Sequence, residues 1–243
     1  MLWLVVGLGN PGPEYEATRH NIGQLVVDQL AKSNSAKWSS HKSRCDIAEF
    51  KLGVGIDAAS VIVAKSKSYM NESGGPVKAL ANFYKVELAN IIILHDELDI
   101  PFAAIRSKVA GGDNGHNGLK SLTSSFGSAD YLRVRLGIGR PPGQQDPGDF
   151  VLKQFASAEK KELTDFILRG ADCVESLITQ GLERTQSAFN SEFNLFGQPV
   201  LRKPAATPLI VSNSARIKSG SASAPSVRTL LSKLICNKCR GDR

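Results

Sequence analysis

The chain has 243 residues, of which 30 are Lys/Arg, 23 Asp/Glu and 42 % hydrophobic. That length buries a full core, most simply as one domain plus an appendage, and the hydrophobic content is that of a soluble globular protein. Four cysteines, at 45, 173, 236 and 239, supply no disulfide framework in a chain this long, and the formal net charge of +7 is uneven: Phe196 to Arg243 holds nine Lys/Arg and one Asp, while the remaining 195 residues hold 21 Lys/Arg and 22 Asp/Glu.

Leu2 to Val6 is an apolar run that reads as a buried strand. It is too short to span a bilayer, lacks a basic leader and ends in Gly and Pro, so the chain is expected to be cytoplasmic. The segment Gly7-Leu8-Gly9-Asn10-Pro11-Gly12-Pro13-Glu14-Tyr15-Glu16-Ala17-Thr18-Arg19-His20-Asn21 follows. It delivers an amide (Asn10), a phenol (Tyr15) and an imidazole (His20) in one loop stiffened by prolines, which is how a rigid scaffold displays chemistry. Gly7, Gly9 and Gly12 satisfy G-x-G-x-x-G, but a dinucleotide site needs a helix starting inside the glycines and an acid closing a second strand. Pro11 and Pro13 interrupt such a helix, and Asp28 sits inside the next helical pattern, so nucleotide binding is not expected.

Helical periodicity runs from about Ile22 to Ala31, then strands are expected at Asp46 to Lys51 and Val61 to Ala64. Lys67-Ser68-Tyr69-Met70-Asn71-Glu72-Ser73-Gly74-Gly75 leads into a helix from Asn71 to Tyr84, with Asn71 placed as its N-cap. Ile91 to Leu94 reads as a central strand ending in His95-Asp96-Glu97-Leu98-Asp99. A metal bound by those four polar residues is disfavoured, because strand alternation turns Asp96 away from His95 and Glu97. Ala104 to Val109 alternates, with Arg106 and Lys108 on one face, and Gly111 to Gly118 is a glycine-rich loop opening a helix to about Ser125. That loop lacks the Gly-Lys-Ser/Thr of a P-loop.

Tyr131 to Ile138 alternates again and puts Arg133 and Arg135 on one face; Arg140 to Gly148 is a Pro/Gly loop. Between Pro101 and Gln145, six basic residues stand against two acids, which marks this region as the expected anion-facing surface. A long amphipathic helix is expected from Ala158 to about Ala188, bent or split at Gly170 or Gly181. Alternating strands and helices predict an α/β fold: a single globular domain over residues 1–195, with a twisted, mostly parallel mixed sheet flanked by helices on both faces and ligands outside the carboxyl ends of the strands. Residues 196–243 are rich in Pro, Ser, Ala and Lys/Arg and are expected to be a basic, disordered tail, within which Cys236 and Cys239 make at most half a zinc site.

Taken together, GLGNPGPEYEATRHNIG, KSYMNESGG, HDELDIP, GHNGLKS and RVRLGIG, collinear over about residues 1–190, resemble the bacterial-type peptidyl-tRNA hydrolase family. The resemblance implies hydrolysis of the ester between a peptide and the 3′ ribose of tRNA, by a monomer without cofactor or metal. It implies His20 as the catalytic base, Asp96 as the acid that holds it and Asn10 as the amide that tells a blocked α-amino group from a free one. Asn71 and Asn117 would be further amides beside the histidine, Tyr15, Tyr69 and Met70 would line the substrate channel, and Lys108 and Arg135 would grip a tRNA phosphate. No Gly-x-Ser-x-Gly elbow is present, so direct attack by water is the simpler course. The chain departs from the family pattern at Asp113, Asn114 and Arg140, and His41 and His116 receive no role. A non-catalytic RNA-binding relative, as in the chloroplast splicing factors that resemble this family, is the alternative.

Overall fold

The computed structural model describes residues 1–190. The tail, its cysteines and the short apolar patch at 227–235 lie outside the described residues. Seven strands form one sheet: β1 (Leu2–Gly7), β2 (Ser39–His41), β3 (Cys45–Leu52), β4 (Ala59–Ser66), β5 (Ile91–Glu97), β6 (Ile105–Val109) and β7 (Leu132–Gly137). Their order is β2-β3-β4-β1-β5-β7-β6. The four central strands β4, β1, β5 and β7 run parallel, while β2, β3 and β6 are joined antiparallel at the two edges.

The apolar runs of β1 and β5 are continuous because both faces of the sheet are covered. Trp3, Val5, Ile92 and Leu94 pack with Val26, Leu30, Phe166 and Val174 from α1 (Ile22–Ser33) and, further along, the 24-residue helix Ser157–Gln180. Leu4, Val6, Ile91 and Ile93 pack with Val77, Leu80, Leu119 and Leu122 from α2 (Gly74–Tyr84) and α3 (Asn117–Phe126). Helices therefore lie on both faces, as expected. Gly23 lets α1 seat against the strands: a Cβ there would collide with backbone of Leu94 and Leu8.

Several expectations need correcting at the level of elements. The loop 141–148 contains the start of a short helix, α4 (Pro147–Val151), capped by Asp146, whose side chain accepts from Asp149 N. The long helix is split at one of its two expected positions, Gly181 with φ +81°, into α5 (Ser157–Gln180) and α6 (Leu182–Phe189). Gly170 does not break α5; it brings that helix onto Val26 of α1. Asn71 is not an N-cap. It sits in a single 3-10 turn, Met70–Glu72, ahead of α2, and its side chain is exposed.

Candidate active site

The carboxyl ends of the parallel strands carry the polar residues to one edge of the sheet. The loop after β1 brings Asn10, Tyr15 and His20; the loop after β4 brings Tyr69 to Asn71; β5 ends in Asp96, Glu97 and, just beyond, Asp99. The glycine loop arrives differently. It follows β6, which runs antiparallel, so residues 110–116 must climb back along the sheet to reach this edge. Arg133 explains how that return is held. It is fully buried on β7, donates from its two terminal nitrogens to the carbonyls of Gly111 and Gly112 at 2.7 Å each, and lies over the Tyr131 ring. Arg133 is thus a loop anchor and leaves the expected anion-facing set.

At the centre, His20 Nδ1 donates to Asp96 Oδ1 at 2.9 Å. Asp96 is 3 % exposed and His20 9 %. Burial alone raises a carboxyl pKa, but the electrostatic interaction with His20 and His116 and the bonds they donate outweigh it and hold Asp96 well below the usual carboxylate range. Burial pulls the His20 imidazole down, and the Asp96 charge and bond overcome that, leaving its pKa raised above 6.5. With Nδ1 committed to a carboxylate, Nε2 is the ring nitrogen left to take a proton.

His116 belongs to this centre, although the sequence reading gave it no role. Its Nδ1 accepts from Gly118 N at 3.1 Å and Leu119 N at 3.3 Å, capping α3. Two N–H donors at Nδ1 require the proton on Nε2, which donates to Asp96 Oδ1 at 3.0 Å. The His116 ring lies 5.0 Å from that of His20 and 5.1 Å from that of His95, centroid to centroid. His20, Asp96 and His116 have the composition and spacing of a metal site. The donor set does not fit one, because a ligating Nε2 would need its proton on Nδ1, facing the two N–H groups of the helix start. His95 is buried beneath, donates Nδ1–H to the Asp96 carbonyl at 2.8 Å, and is pushed down to about 3, chiefly by burial, so it is neutral.

A cavity of about 330 Å³ opens beside this centre, lined by His20, Asp96, Asn114, Asn117, Arg140 and Val151, among others. Asn10 is held separately. Its N–H donates to Asn21 Oδ1 at 2.9 Å, its carbonyl accepts from Asn21 Nδ2 at 2.8 Å, and its Oδ1 accepts from Met70 N at 2.8 Å. That leaves the Asn10 Nδ2 to donate outward. Asn10 does not line the 330 Å³ cavity; it lines a second cleft with Gln24 and Lys65. Tyr15 and Tyr69 meet edge to face at 6.5 Å between centroids, with Tyr69 half exposed. Met70 is 4 % exposed and belongs to the apolar core, so its side chain packs and its backbone N–H serves Asn10. Asn71 and Asn117 are both exposed at this edge.

Lys108 and Arg135 lie on the neighbouring strands β6 and β7, but Arg135 has an acidic partner. It pairs with Glu97 at 3.1 Å, and Glu97 in turn accepts from Asn114 at 2.7 Å. Arg140 is likewise bound to Asp99. Among the described residues Lys108 has no ion pair, and its pKa is lowered by burial and then by Arg135 and Arg133. Cations crowded in this way favour an incoming anion.

A carboxylate-held imidazole with a free Nε2, at the carboxyl edge of a parallel sheet, is the equipment of a hydrolase that activates water. The family model described as "Peptidyl-tRNA hydrolase" matches residues 4–195. The chain is 54 % identical over 189 residues to a peptidyl-tRNA hydrolase of Frankia alni, covering 78 % of this chain and 94 % of that protein. It is 56 % identical over 191 residues to one of Streptomyces coelicolor, covering 78 % and 95 %. Among solved structures, that of peptidyl-tRNA hydrolase from Acinetobacter baumannii superposes with a TM-score of 0.71 at 32 % identity, over 78 % of this chain and 95 % of that one. The chain belongs to the peptidyl-tRNA hydrolase family.

Proposed function

We propose that this chain hydrolyses the ester between a peptide and the 3′ ribose of tRNA, with His20 as general base. The observation that carries this reading is the 2.9 Å bond from His20 Nδ1 to the buried Asp96 carboxylate. Water attacks the ester carbonyl carbon while His20 Nε2 takes its proton, and Asp96 stabilises the imidazolium that forms. The tetrahedral oxyanion collapses, the 3′ oxygen leaves, and it takes the proton back from His20. Products are free tRNA and a peptide carboxylic acid, which gives its proton to solvent and leaves as the carboxylate.

Amides suit the remaining tasks because they donate and accept without titrating. Asn10 Nδ2, aimed outward by its bond to Met70 N, reads the acylated α-nitrogen; Asn71 and Asn117, exposed at the same edge, hold the peptide carbonyl and the developing oxyanion. Tyr15 and Tyr69 wall the channel as a paired unit, and Met70 supports it from beneath. Lys108 takes a tRNA phosphate, with Arg135 drawn partly from Glu97 to join it. One catalytic domain, residues 1–195, acts as a cytoplasmic monomer without cofactor or metal, and the tail from 196 stands apart from catalysis. Among the described residues, no helix is long and apolar enough to cross a membrane.

The test is incubation with diacetyl-Lys-tRNA beside Lys-tRNA carrying free amines, with His20→Ala as control. The proposal expects release of tRNA from the blocked substrate only, and loss of that release in the variant while tRNA still binds. Binding without release by the unaltered chain would favour the RNA-binding alternative; near-native turnover by His20→Ala would remove the base assignment.

A further inference from the structure

One buried charge has no place in the reaction just described. Arg19, the residue before His20, is 5 % exposed. Its Nη1 faces three carbonyls, those of Phe150 at 3.4 Å, Lys153 at 3.2 Å and Gln154 at 2.9 Å. Its Nη2 donates to Glu159 at 2.6 Å, and its guanidinium carbon stands 4.1 Å from the Phe150 ring centroid. Its backbone N–H donates to Lys153 O at 3.1 Å, next to a lone β-bridge between Thr18 and Gln154. Nothing in simple core packing calls for a cation here, and only a planar fork with several donors serves carbonyls and a carboxylate together.

The partners belong to one segment with two ends. Phe150, Lys153 and Gln154 lie at and just past the end of α4, where a helix leaves carbonyls without intrahelical partners. Glu159 lies in the first turn of α5 and also accepts from Ala156 N, so it ties Arg19 to the helix packed on α1. Between these ties, Pro147, Gly148 and Val151 form part of the wall of the 330 Å³ cavity, which they line together with His20 and the glycine loop at Asn114 to Asn117.

We propose that Arg19 is a positioning residue: it fixes the 147–154 wall to the backbone that carries His20, so that wall and imidazole keep one spacing across the cavity. This rests on the reading of His20 given above. Side chain and backbone of the same residue hold the same segment, so the wall is referenced to the base directly rather than through the sheet. The cavity then presents a set width to the acyl group or terminal nucleotide lying against His20, which is the kind of alignment that a small displacement spoils.

The test uses the full chain with Arg19→Met, Arg19→Lys and Glu159→Gln, measuring amide exchange by mass spectrometry, steady-state kinetics on an N-acetylaminoacyl-tRNA and the pH profile. For Arg19→Met, exchange in 147–156 is expected to rise by about tenfold or more while sheet peptides stay unchanged. KM is expected to rise about tenfold and kcat to fall only a few-fold, with the acid limb of the profile in place, since the His20–Asp96 bond is untouched. Arg19→Lys keeps the charge on Glu159 but cannot fork to the carbonyls, so it should fall between native and Arg19→Met; Glu159→Gln should loosen the same peptides by about threefold. If Arg19→Met does not fold, the other two variants carry the comparison. Unchanged exchange in 147–156 would show that Arg19 does not hold the wall. Faster exchange with native kcat and KM would show that the wall does not align substrate, and a displaced acid limb would show that Arg19 acts on the imidazole itself. The exchange measurement needs no activity, so failure of the His20 assignment would be seen separately, in His20→Ala.

Discussion

Asp96→Asn keeps the shape of the side chain and removes its charge. In the native site the carboxylate is 3 % exposed and accepts from His20 at 2.9 Å and His116 at 3.0 Å. When His20 takes a proton from water, a positive charge appears roughly 4 Å from the centre of that carboxylate, and at an effective dielectric of about 20 the attraction is worth about 4 kcal/mol. A neutral amide oxygen accepting the same bond returns about 1–2 kcal/mol. The remaining 2–3 kcal/mol or so corresponds to a fall in kcat of about 30- to 150-fold. If the Asn amide nitrogen turns to the ring, the tautomer inverts and the loss deepens toward about 10⁴-fold. The pH profile supplies a second reading. Native His20 is raised above 6.5 because Asp96 overcomes burial; without that charge only burial remains, and the acid limb should move below 6.5. The assay is release of tRNA from N-acetylaminoacyl-tRNA between about pH 5 and 8, corrected for spontaneous ester hydrolysis, with circular dichroism to establish folding. A folded variant losing less than about tenfold, with its acid limb unmoved, would refute the electrostatic pairing.

Two further outcomes follow from the geometry. Lys108→Ala with Arg135→Ala should weaken tRNA binding and flatten the slope of log K against log salt, by up to about 1.8 if each side chain neutralises one phosphate; Arg135→Ala alone should do less than Lys108→Ala, because Glu97 already draws on that guanidinium. An unaltered slope in anisotropy titrations would move the phosphate contact elsewhere. Chelator treatment should leave turnover unchanged, since the proton on His116 Nε2 denies a metal its third ligand; loss of activity restored by a divalent ion would overturn that tautomer.

The fold and the central pair were legible for definite reasons. Continuous apolar runs at Leu2 to Val6 and Ile91 to Leu94 mark strands covered on both faces, and alternation along β5 sends the Asp96 carboxylate to His20 and that of Glu97 to Arg135, although both line the same cavity. What stayed hidden depends on contacts distant in sequence. His116 sits in a glycine loop, and only the start of α3 beneath it and Asp96 across from it reveal its three bonds; the one local signal was a polar ring at a helix N-cap position. Arg19 meets Phe150 to Glu159, about 130 to 140 positions away, which no local pattern encodes. Arg133 and Arg135 look alike by alternation, yet one is consumed by the returning loop and the other by Glu97. Counting cations along a strand cannot distinguish a solvent-facing charge from one that serves the scaffold.

The clasp between Asn10 and Asn21 closes the span between them into a ring, two hydrogen bonds joining backbone at one end to a side chain at the other. A closed ring has a fixed circumference. In its outer stretch Pro13, Glu14 and Glu16 are exposed, while Tyr15 turns back to meet Tyr69. Adding or removing a single residue there would open the clasp and shift the base relative to the amide that reads the substrate. Variation among functional relatives should therefore be confined to the lettering of this span, with its length held constant.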